Sequence, residues 1–437
     1  MNATHDPERR SWVTSANRTG CAFPIQNLPL GVFETSGGPA VGVAIGDLVL
    51  DLRRCYQANL FASLPQATRE ACAAATLNPL MELGAECWSP LRALLSDLLR
   101  ADHPRAADNQ QAGAQYLLPM VGVTMLKPAS IGNYTDFYAS IDHATNVGRL
   151  FRPENPLLPN YKYVPIGYHG RASSICVSGT TVRRPAGQFL PQPGGPPRFA
   201  PTGALDYELE AGFFVGPGNQ RGEAIGIDQA AAHLFGICLL NDWSARDVQA
   251  WEYQPLGPFL AKSFATTISP WIVTMEALAP FRRPAFVRPP EDPGPLHYLD
   301  SAQDQKKGGI DLVLEVYLRS AGMRSAGMDA VRLSRSNLGS LYWTPAQLLT
   351  HHASNGCNLQ PGDLLASGTV SGPEETARGC LLEITRLGPI ALPTGELRSY
   401  LEDGDEITLH GYCEREGFVS IGLGECTGII VENTSVA

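Results

Sequence analysis

Short apolar runs separated by Gly- and Pro-rich turns predict β-strands along most of the chain. Near the N-terminus, apolar runs at 30–33 and 41–45 lie between such turns, and Gly46-Asp47 forms a tight turn into 48–52. The runs 41–45 and 48–52 are therefore predicted to form a hairpin. Further strands are predicted at 176–178, 207–215, 236–240, 312–318, 364–366, 380–384 and 406–410.

Helical spacing occurs in fewer places. Five leucines between positions 91 and 99 follow Ser89-Pro90 with a helical period. Two further helices are predicted, one from Ser244 through 246–251 and one from Thr344 and Pro345 through 352. The stretches 185–201 and 280–295 are predicted to be Pro-rich loops, and Lys127-Pro128 marks a boundary between two domains.

Composition narrows the class of protein. The chain has 437 residues, 44% of them hydrophobic and 17% charged, and this balance is typical of a globular fold. The net charge of −10, with no basic run, argues against nucleic acid or an anionic membrane as a partner. No apolar run approaches the ~20 residues of a membrane span, and the polar N-terminal segment lacks the apolar core of a signal peptide. We therefore expect a cytoplasmic protein.

The ten cysteines are widely scattered and never form a C-x-x-C pair. This spacing favours reduced, buried thiols over a disulfide framework or a zinc site. No G-x-S-x-G or H-E-x-x-H motif occurs, so neither a serine-nucleophile elbow nor a helix-borne zinc site is indicated.

Acidic residues stand at positions that suit a cation. Asp206, Glu208 and Glu210 alternate at the start of a predicted strand, which places them on one face, either as an exposed polar edge or as a repelling cluster that a cation relieves. Asp242 ends an apolar strand, where it either caps the next helix or forms part of a site. Asp136, in a predicted loop, would complete an all-oxygen site that suits Ca²⁺ or Mg²⁺ better than zinc.

Two polar segments add candidate catalytic groups. His143 lies in a predicted loop near Asp136, Tyr138 and Arg152, although a lone histidine is more often structural or solvated. The segment 167–171, Gly-Tyr-His-Gly-Arg, brings a phenol and cationic side chains together in what is otherwise an ordinary tight turn.

Many segments, in order along the chain, resemble the fumarylacetoacetase (fumarylacetoacetate hydrolase) family. They are 23–29, 134–138, 143–148, 167–174, 208–210, 241–247, 251–253, 262–263, 266–271, 364–369 and 371–374. The resemblance implies a mainly β fold with some α. A small SH3-like β-barrel domain at 1–127 would precede a larger β-roll domain at 128–437 that holds the site and forms a homodimer.

The resemblance also implies an activity and a site: metal-dependent hydrolysis of the carbon–carbon bond of 4-fumarylacetoacetate to fumarate and acetoacetate, the last step of tyrosine and phenylalanine catabolism. The implied ligands of a Mg²⁺ or Ca²⁺ ion are Asp136, Glu208, Glu210 and Asp242, with Lys262 and Thr266 closing its surroundings. The implied catalytic groups are His143 as base, Glu383 as its orienting carboxylate, and Arg246, Gln249 and Lys262 for developing negative charge. The implied substrate contacts are Tyr138, Arg152, Tyr168, Gln249, Tyr253 and Thr369.

Two alternatives remain on the same scaffold. One is a related hydrolase or isomerase that acts on an acylpyruvate or an unsaturated oxo-diacid, which would share the acidic residues. The other is an inactive ion-binding homologue. The long N-terminal domain and the pairing of His143 with Glu383 favour the hydrolase of fumarylacetoacetate over its relatives. The presence of His143, Glu383, Lys262 and Arg246 argues against an inactive ion-binding or structural homologue, since an ion site alone needs none of them.

Overall fold

The structure, a computed structural model, describes residues 1–113 and 115–434. The strands are β1 Leu30–Phe33, β2 Ala40–Ile45, β3 Leu48–Asp51, β4 Leu117–Pro119, β5 Met125–Leu126, β6 Tyr134–Phe137, β7 Gly167–His169, β8 Ile175–Val177, β9 Val182–Arg183, β10 Ala186–Phe189, β11 Arg198–Pro201, β12 Leu205–Asp206, β13 Leu209–Val215, β14 Leu234–Asp242, β15 Ser244–Ala245, β16 Thr266–Ile268, β17 Val273–Thr274, β18 Arg282–Arg283, β19 Gly309–Ile310, β20 Val313–Arg319, β21 Val331–Asn337, β22 Leu364–Ala366, β23 Ile390–Ala391, β24 Leu397–Arg398, β25 Glu406–Cys413 and β26 Ile421–Val431. The α-helices are α1 Leu52–Gln57, α2 Gln66–Cys72, α3 Asn78–Glu82, α4 Ala85–Leu99, α5 Ala106–Gly113, α6 Ile141–Phe151, α7 Ile227–Ala230, α8 Arg246–Glu252, α9 Ala302–Lys307, α10 Ala321–Ser325, α11 Pro345–Ala353 and α12 Leu381–Ile384.

The N-terminal part of the chain forms an antiparallel sheet of five strands, in the order β4-β3-β2-β1-β5. β2 and β3 form the predicted hairpin, in which Ile45 pairs with Leu48 across the turn. The helix predicted after Ser89 is the C-terminal part of α4. This open half-barrel, followed by a larger and mostly β domain, confirms the predicted fold class.

The larger domain is built on a mixed sheet whose main path runs β7-β6-β22-β13-β14-β16-β8. β13 and β14 are its antiparallel centre, with Glu210 opposite Leu240. β22 lies between β13 and β6 and runs parallel to β6, with Ala366 opposite Asp136. A second sheet, in the order β21-β20-β25-β26-β9, packs against the first.

Alternating residues of the central strands face two different cores. On β13, Leu209 and Phe213 pack in one core with Leu409 of the second sheet. Phe214 points the other way, into a core shared with Val32 of the N-terminal sheet. The central sheet is thus covered on both faces, and its even-numbered positions on β13 face the N-terminal side.

Several local predictions were wrong. The stretch 380–384 is helix α12 rather than a strand, and the loop predicted at 185–201 contains the hairpin of β10 and β11. The helix predicted from Ser244 begins at Arg246, because Ser244 pairs with Asp206 as part of β15. Among the described residues, no helix is both long and apolar enough to cross a bilayer.

The N-terminal sheet joins the larger domain at a short backbone bridge between Leu30 of β1 and Ile272, the residue before β17. Ile272 is 0% exposed and its side chain lies in the shared core. We expect Ile272→Ala to lower the free energy of unfolding by about 2–5 kcal/mol, because the buried methyl groups leave a cavity. Urea unfolding followed by circular dichroism measures this. The control is Val287→Ala, since Val287 is 84% exposed. Equal midpoints for the two variants would contradict the prediction.

Candidate active site

Four carboxylates meet on one face of the central sheet and form the acidic cluster: Asp136, Glu208, Glu210 and Asp242. One oxygen of each lies within 4.8 Å of one oxygen of every other, and all four residues are buried. Asp136 is on β6, Glu210 on β13 and Asp242 at the end of β14, while Glu208 directly precedes β13. Asp136 was predicted in a loop and Asp242 as a possible cap. Asp136 is instead on a strand, and Ala245 is the N-cap of α8.

Cationic and hydroxyl side chains contact two of the four members of the acidic cluster, Glu208 and Asp242. Lys262 Nζ donates to Glu208 Oε2 at 2.5 Å and to Asp242 Oδ2 at 2.8 Å. Asp242 also accepts from Thr266 Oγ1 at 2.7 Å and from the hydroxyl of Tyr168 at 2.9 Å. Burial opposes the ionised form of Glu208, but Lys262 and a nearby arginine outweigh it and lower the pKa of this carboxyl group.

The other two members, Asp136 and Glu210, have carboxylate oxygens without a hydrogen-bond donor. Asp136 Oδ1 and both carboxylate oxygens of Glu210 are buried without a hydrogen bond. Burial, reinforced by neighbouring carboxylates, raises the pKa of Asp136 and of Glu210 well above their ordinary values. Unpartnered, convergent oxygens of this kind fit a hard divalent cation, and an all-oxygen donor set suits Mg²⁺ or Ca²⁺.

A histidine–carboxylate pair lies beside the acidic cluster. His143 was predicted in a loop, and this prediction was wrong. It lies in the first turn of α6, where its backbone N–H donates to the capping Ser140 Oγ. Its Nδ1 lies 2.7 Å from Glu383 Oε2. Burial opposes ionisation of Glu383, but His143 and several hydrogen bonds outweigh it and lower its pKa to about 2. The ionised carboxylate fixes the Nδ1–H tautomer, which leaves Nε2 of His143 to accept a proton.

Three residues that the sequence did not single out support Glu383. Asn146 Nδ2 donates to its Oε1 at 2.8 Å, Ser371 Oγ donates to its Oε2 at 2.7 Å, and Cys380 Sγ lies 3.3 Å from that Oε2. Asn146 follows His143 by three residues, so a helical assignment of 141–151 would have placed both on one face. Nothing in the local pattern distinguishes Ser371 or Cys380.

Arg246 is a buried arginine that contacts the acidic cluster through Glu208. Its Nη1 contacts Glu208 Oε1 at 2.7 Å and donates to Gln249 Oε1 at 3.0 Å, and its Nε donates to Asp206 Oδ2 at 2.9 Å. Its Nη2 is buried without a hydrogen-bond partner. Asp206, expected on one face with Glu208 and Glu210, is therefore paired with Arg246 and is not a member of the acidic cluster.

The remaining candidate residues differ in their contacts with His143 and the acidic cluster. The ring of Tyr138 packs edge-on against that of His143, with centroids 5.4 Å apart, and Thr369 is buried beyond β22. Tyr168 is on β7, where a tight turn was predicted. Arg152 follows α6 and donates to the carbonyl of Pro156 rather than to the cluster. Tyr253 follows Gln249 by one turn of α8, at its C-terminal end.

Two family descriptions match the sequence. The one named "Fumarylacetoacetase N-terminal" matches residues 26–128, and "Fumarylacetoacetate (FAA) hydrolase C-terminal" matches residues 133–431. The second match contains the acidic cluster, His143, Glu383 and Arg246.

Similar proteins cover almost the whole chain. A fumarylacetoacetase of Bos taurus is 49% identical over 421 residues, which are 95% of this chain and 97% of that protein. One of Arabidopsis thaliana is 48% identical over 94% of this chain and 96% of its own length. The solved fumarylacetoacetate hydrolase of Exiguobacterium antarcticum shares the fold, with a TM-score of 0.51 at 18% identity, covering 93% of this chain and 100% of that one. The chain belongs to the fumarylacetoacetate hydrolase family.

Proposed function

We propose that this chain hydrolyses the carbon–carbon bond of 4-fumarylacetoacetate to give fumarate and acetoacetate, as a fumarylacetoacetase of tyrosine and phenylalanine catabolism. The observation that carries the proposal is the buried His143–Glu383 pair beside the acidic cluster. It occurs in a chain that is 49% identical to a curated fumarylacetoacetase over 95% of its length.

The reaction requires a base for water. Water attacks one ketone carbon, and the bond to the next carbon then breaks to release an enolate, which takes up a proton. Nε2 of His143 accepts the proton from water, because the bond from Nδ1 to Glu383 leaves Nε2 as the nitrogen without a proton. Glu383 keeps the ring in the Nδ1–H tautomer and stabilises the imidazolium that forms, as the carboxylate of a catalytic triad does. The imidazolium can then return its proton to the leaving carbon.

The reaction also requires fixed positive charge. The tetrahedral oxyanion and the enolate both carry negative charge, which donors already held in place stabilise most effectively. Arg246, through its unpartnered Nη2, and Lys262 supply such donors, and Gln249 holds the other edge of the guanidinium. A divalent cation on the acidic cluster, Mg²⁺ or Ca²⁺, would act as a Lewis acid toward the ketone oxygens.

Substrate contacts follow from the shape and charge of the dianion. Arg152 is suited to a terminal carboxylate, because a guanidinium binds it through two parallel hydrogen bonds. Tyr138 lies against His143 and Tyr168 against Asp242, which supports a substrate that contacts both hydroxyl-bearing rings. We assign Thr369 and Tyr253, together with Gln249, to the same shell.

Three further expectations accompany this function. We propose a division of the chain into domains at 127/128, assembly as a homodimer and a cytoplasmic location. The family resemblance supports the first two, and the scattered, unpaired cysteines, which suit a reducing compartment, support the third.

The cation is expected to be required for turnover. Purified protein should consume fumarylacetoacetate, followed as loss of its near-ultraviolet absorbance. Chelation should abolish this loss, and added Mg²⁺ or Ca²⁺ should restore it. Absence of turnover in every metal state would refute the proposed function and direct the next test to an acylpyruvate panel.

A matched pair of variants tests whether Glu210 binds the ion, without a measurement of activity. Glu210→Gln should lose most of the increase in melting temperature that Mg²⁺ or Ca²⁺ gives to the wild type, because a ligand that binds only the folded state stabilises it. Glu315→Gln, at a buried glutamate paired with Arg332, should retain that increase. Equal metal-dependent shifts in both variants would contradict the assignment of Glu210.

His143→Ala is expected to lower kcat by about 10²–10⁴-fold, the usual contribution of a general base. KM should stay within about threefold of the wild type, because the ring is not assigned to substrate binding. Steady-state kinetics measures both constants, with His410→Ala as the control on the second sheet. Equal losses in kcat and in substrate affinity would count against the role of base.

Arg152→Lys is expected to raise KM by about tenfold, equivalent to ~1.4 kcal/mol, with a smaller effect on kcat. The reason is that an ammonium group cannot make the two parallel bonds of a guanidinium to carboxylate. Arg335→Lys, at a half-exposed side chain on β21, is the control. A fall in kcat with unchanged KM would instead assign Arg152 to the chemical step.

A further inference from the structure

Asp206 is a carboxylate with no assigned role, and it is fully saturated with donors. It is 0% exposed. Its Oδ1 accepts from the backbone N–H groups of Tyr207 at 2.9 Å and of Leu381 at 2.8 Å. Its Oδ2 accepts from the N–H of Leu382 at 3.0 Å and from Arg246 Nε at 2.9 Å. Four donors on two oxygens hold this carboxylate in one orientation.

The partners of Asp206 belong to two parts of the proposed site: Arg246, and the start of the helix that carries Glu383. Leu381 and Leu382 are the first two residues of α12, and Glu383 is the third. The N-cap of α12, Cys380, makes no side-chain capping bond, so Asp206 takes over that function from a distant part of the chain. Through its other oxygen, Asp206 holds the guanidinium of Arg246.

The backbone brings Asp206 to this position. β12 pairs with β15, with Asp206 opposite Ser244. The N–H of Arg246 donates to the carbonyl of Ala204 at 2.9 Å, which continues the pairing into the first residue of α8. The start of α8 is therefore fixed relative to Asp206 by main-chain bonds as well as by the ion pair.

We propose that Asp206 is a positioning residue for the hydrolysis: it holds Arg246 and the turn that carries Glu383 in a fixed mutual geometry, and it leaves one edge of the guanidinium for the substrate. The inference rests on the function proposed above. Asp206 touches neither the acidic cluster nor His143 in the described contacts, so it acts through its two partners.

The guanidinium fork shows why this orientation matters. Nε is occupied by Asp206, and Nη1 contacts Glu208 and Gln249. Nη2 is the buried nitrogen of the group with no partner. Since a guanidinium is planar and rigid, holding Nε and Nη1 fixes the direction of the Nη2 donors. Loss of the Nε bond would allow the plane to turn and would misdirect those donors.

The test is Asp206→Asn. An amide keeps the size of the side chain but replaces one acceptor oxygen with an NH₂ group. That group would face N–H donors that now bind one carboxylate oxygen of Asp206, and it cannot accept from them. We expect kcat to fall by about 10²-fold, the order observed when one donor to a developing oxyanion is lost. KM should remain within about threefold of the wild type, because the charge of Arg246 remains in the site.

Asp405→Asn is the matched control. Asp405 is also 0% exposed, accepts from Arg398 Nε at 2.9 Å and accepts a backbone N–H from Glu402 at 2.8 Å. Like Asp206, it binds both an arginine and a backbone N–H, but its described contacts include no candidate catalytic residue. A similar loss of stability in both variants, with a fall in kcat in the Asp206 variant alone, would separate positioning from a structural role. If Asp206→Asn does not fold, Asp206→Ser replaces it, because its smaller side chain leaves room for water beside the amides of α12.

A double-variant cycle tests whether Asp206 acts through Arg246. The kcat of Asp206→Asn combined with Arg246→Gln should lie within about threefold of the lower of the two single variants, since residues that act as a unit are not additive. Fully multiplicative losses would overturn the inference, as would unchanged kcat in Asp206→Asn.

Crystal structures of the variants test the inference about Asp206 independently of the proposed function. Absence of wild-type turnover would refute the function alone, and the positions of Arg246 and Glu383 would then decide the inference. Displacement of both groups in Asp206→Asn, but not in Asp405→Asn, supports it. Groups that stay in their wild-type positions overturn it.

Discussion

The burial of several carboxyl groups in one small volume is the constraint on which the site depends. Moving an ionised carboxylate out of water costs several kcal/mol even after the protein relaxes. Lys262 and Arg246, both buried, offset this cost for part of the acidic cluster. Asp136 and Glu210 keep oxygens without partners, and these are the atoms that a divalent cation would satisfy.

The groups that compensate the buried charge are also the groups that the proposed chemistry uses. Lys262 touches two members of the acidic cluster, and Arg246 joins that cluster to Asp206. Glu383 differs: burial opposes its ionisation, but His143 and the hydrogen bonds around it outweigh this effect and lower its pKa to about 2, so it stays ionised beside His143. The site thus combines two carboxylates whose unpartnered oxygens suit a cation, Asp136 and Glu210, with others, such as Glu383, that protein donors satisfy.

Most of the strands predicted from the sequence are present, because alternation and turn residues act locally, although β21 and β26 were not predicted. The central strands, the N-terminal hairpin and the helix capped by Thr344 all follow from such signals. The polar stretches around His143 were read as loop because a short amphipathic helix with few apolar residues resembles one. The role of Asp206 could not be predicted at all, since its partners at 381 and 382 are 175 and 176 residues away.

The position of β22 in the sheet has a consequence for how the site assembles as the chain folds. β6 and β7 carry Asp136 and Tyr168, and they join the remaining strands of the sheet through β22, which begins 195 residues after β7 ends and 227 residues after β6 ends. Until β22 inserts, these groups have no strand beside them that leads to β13, and closing so long a loop makes that step slow. Asp136 therefore joins the other three carboxylates, which β13 and β14 bring together, only in a late step, and Glu383 enters the site in the same part of folding.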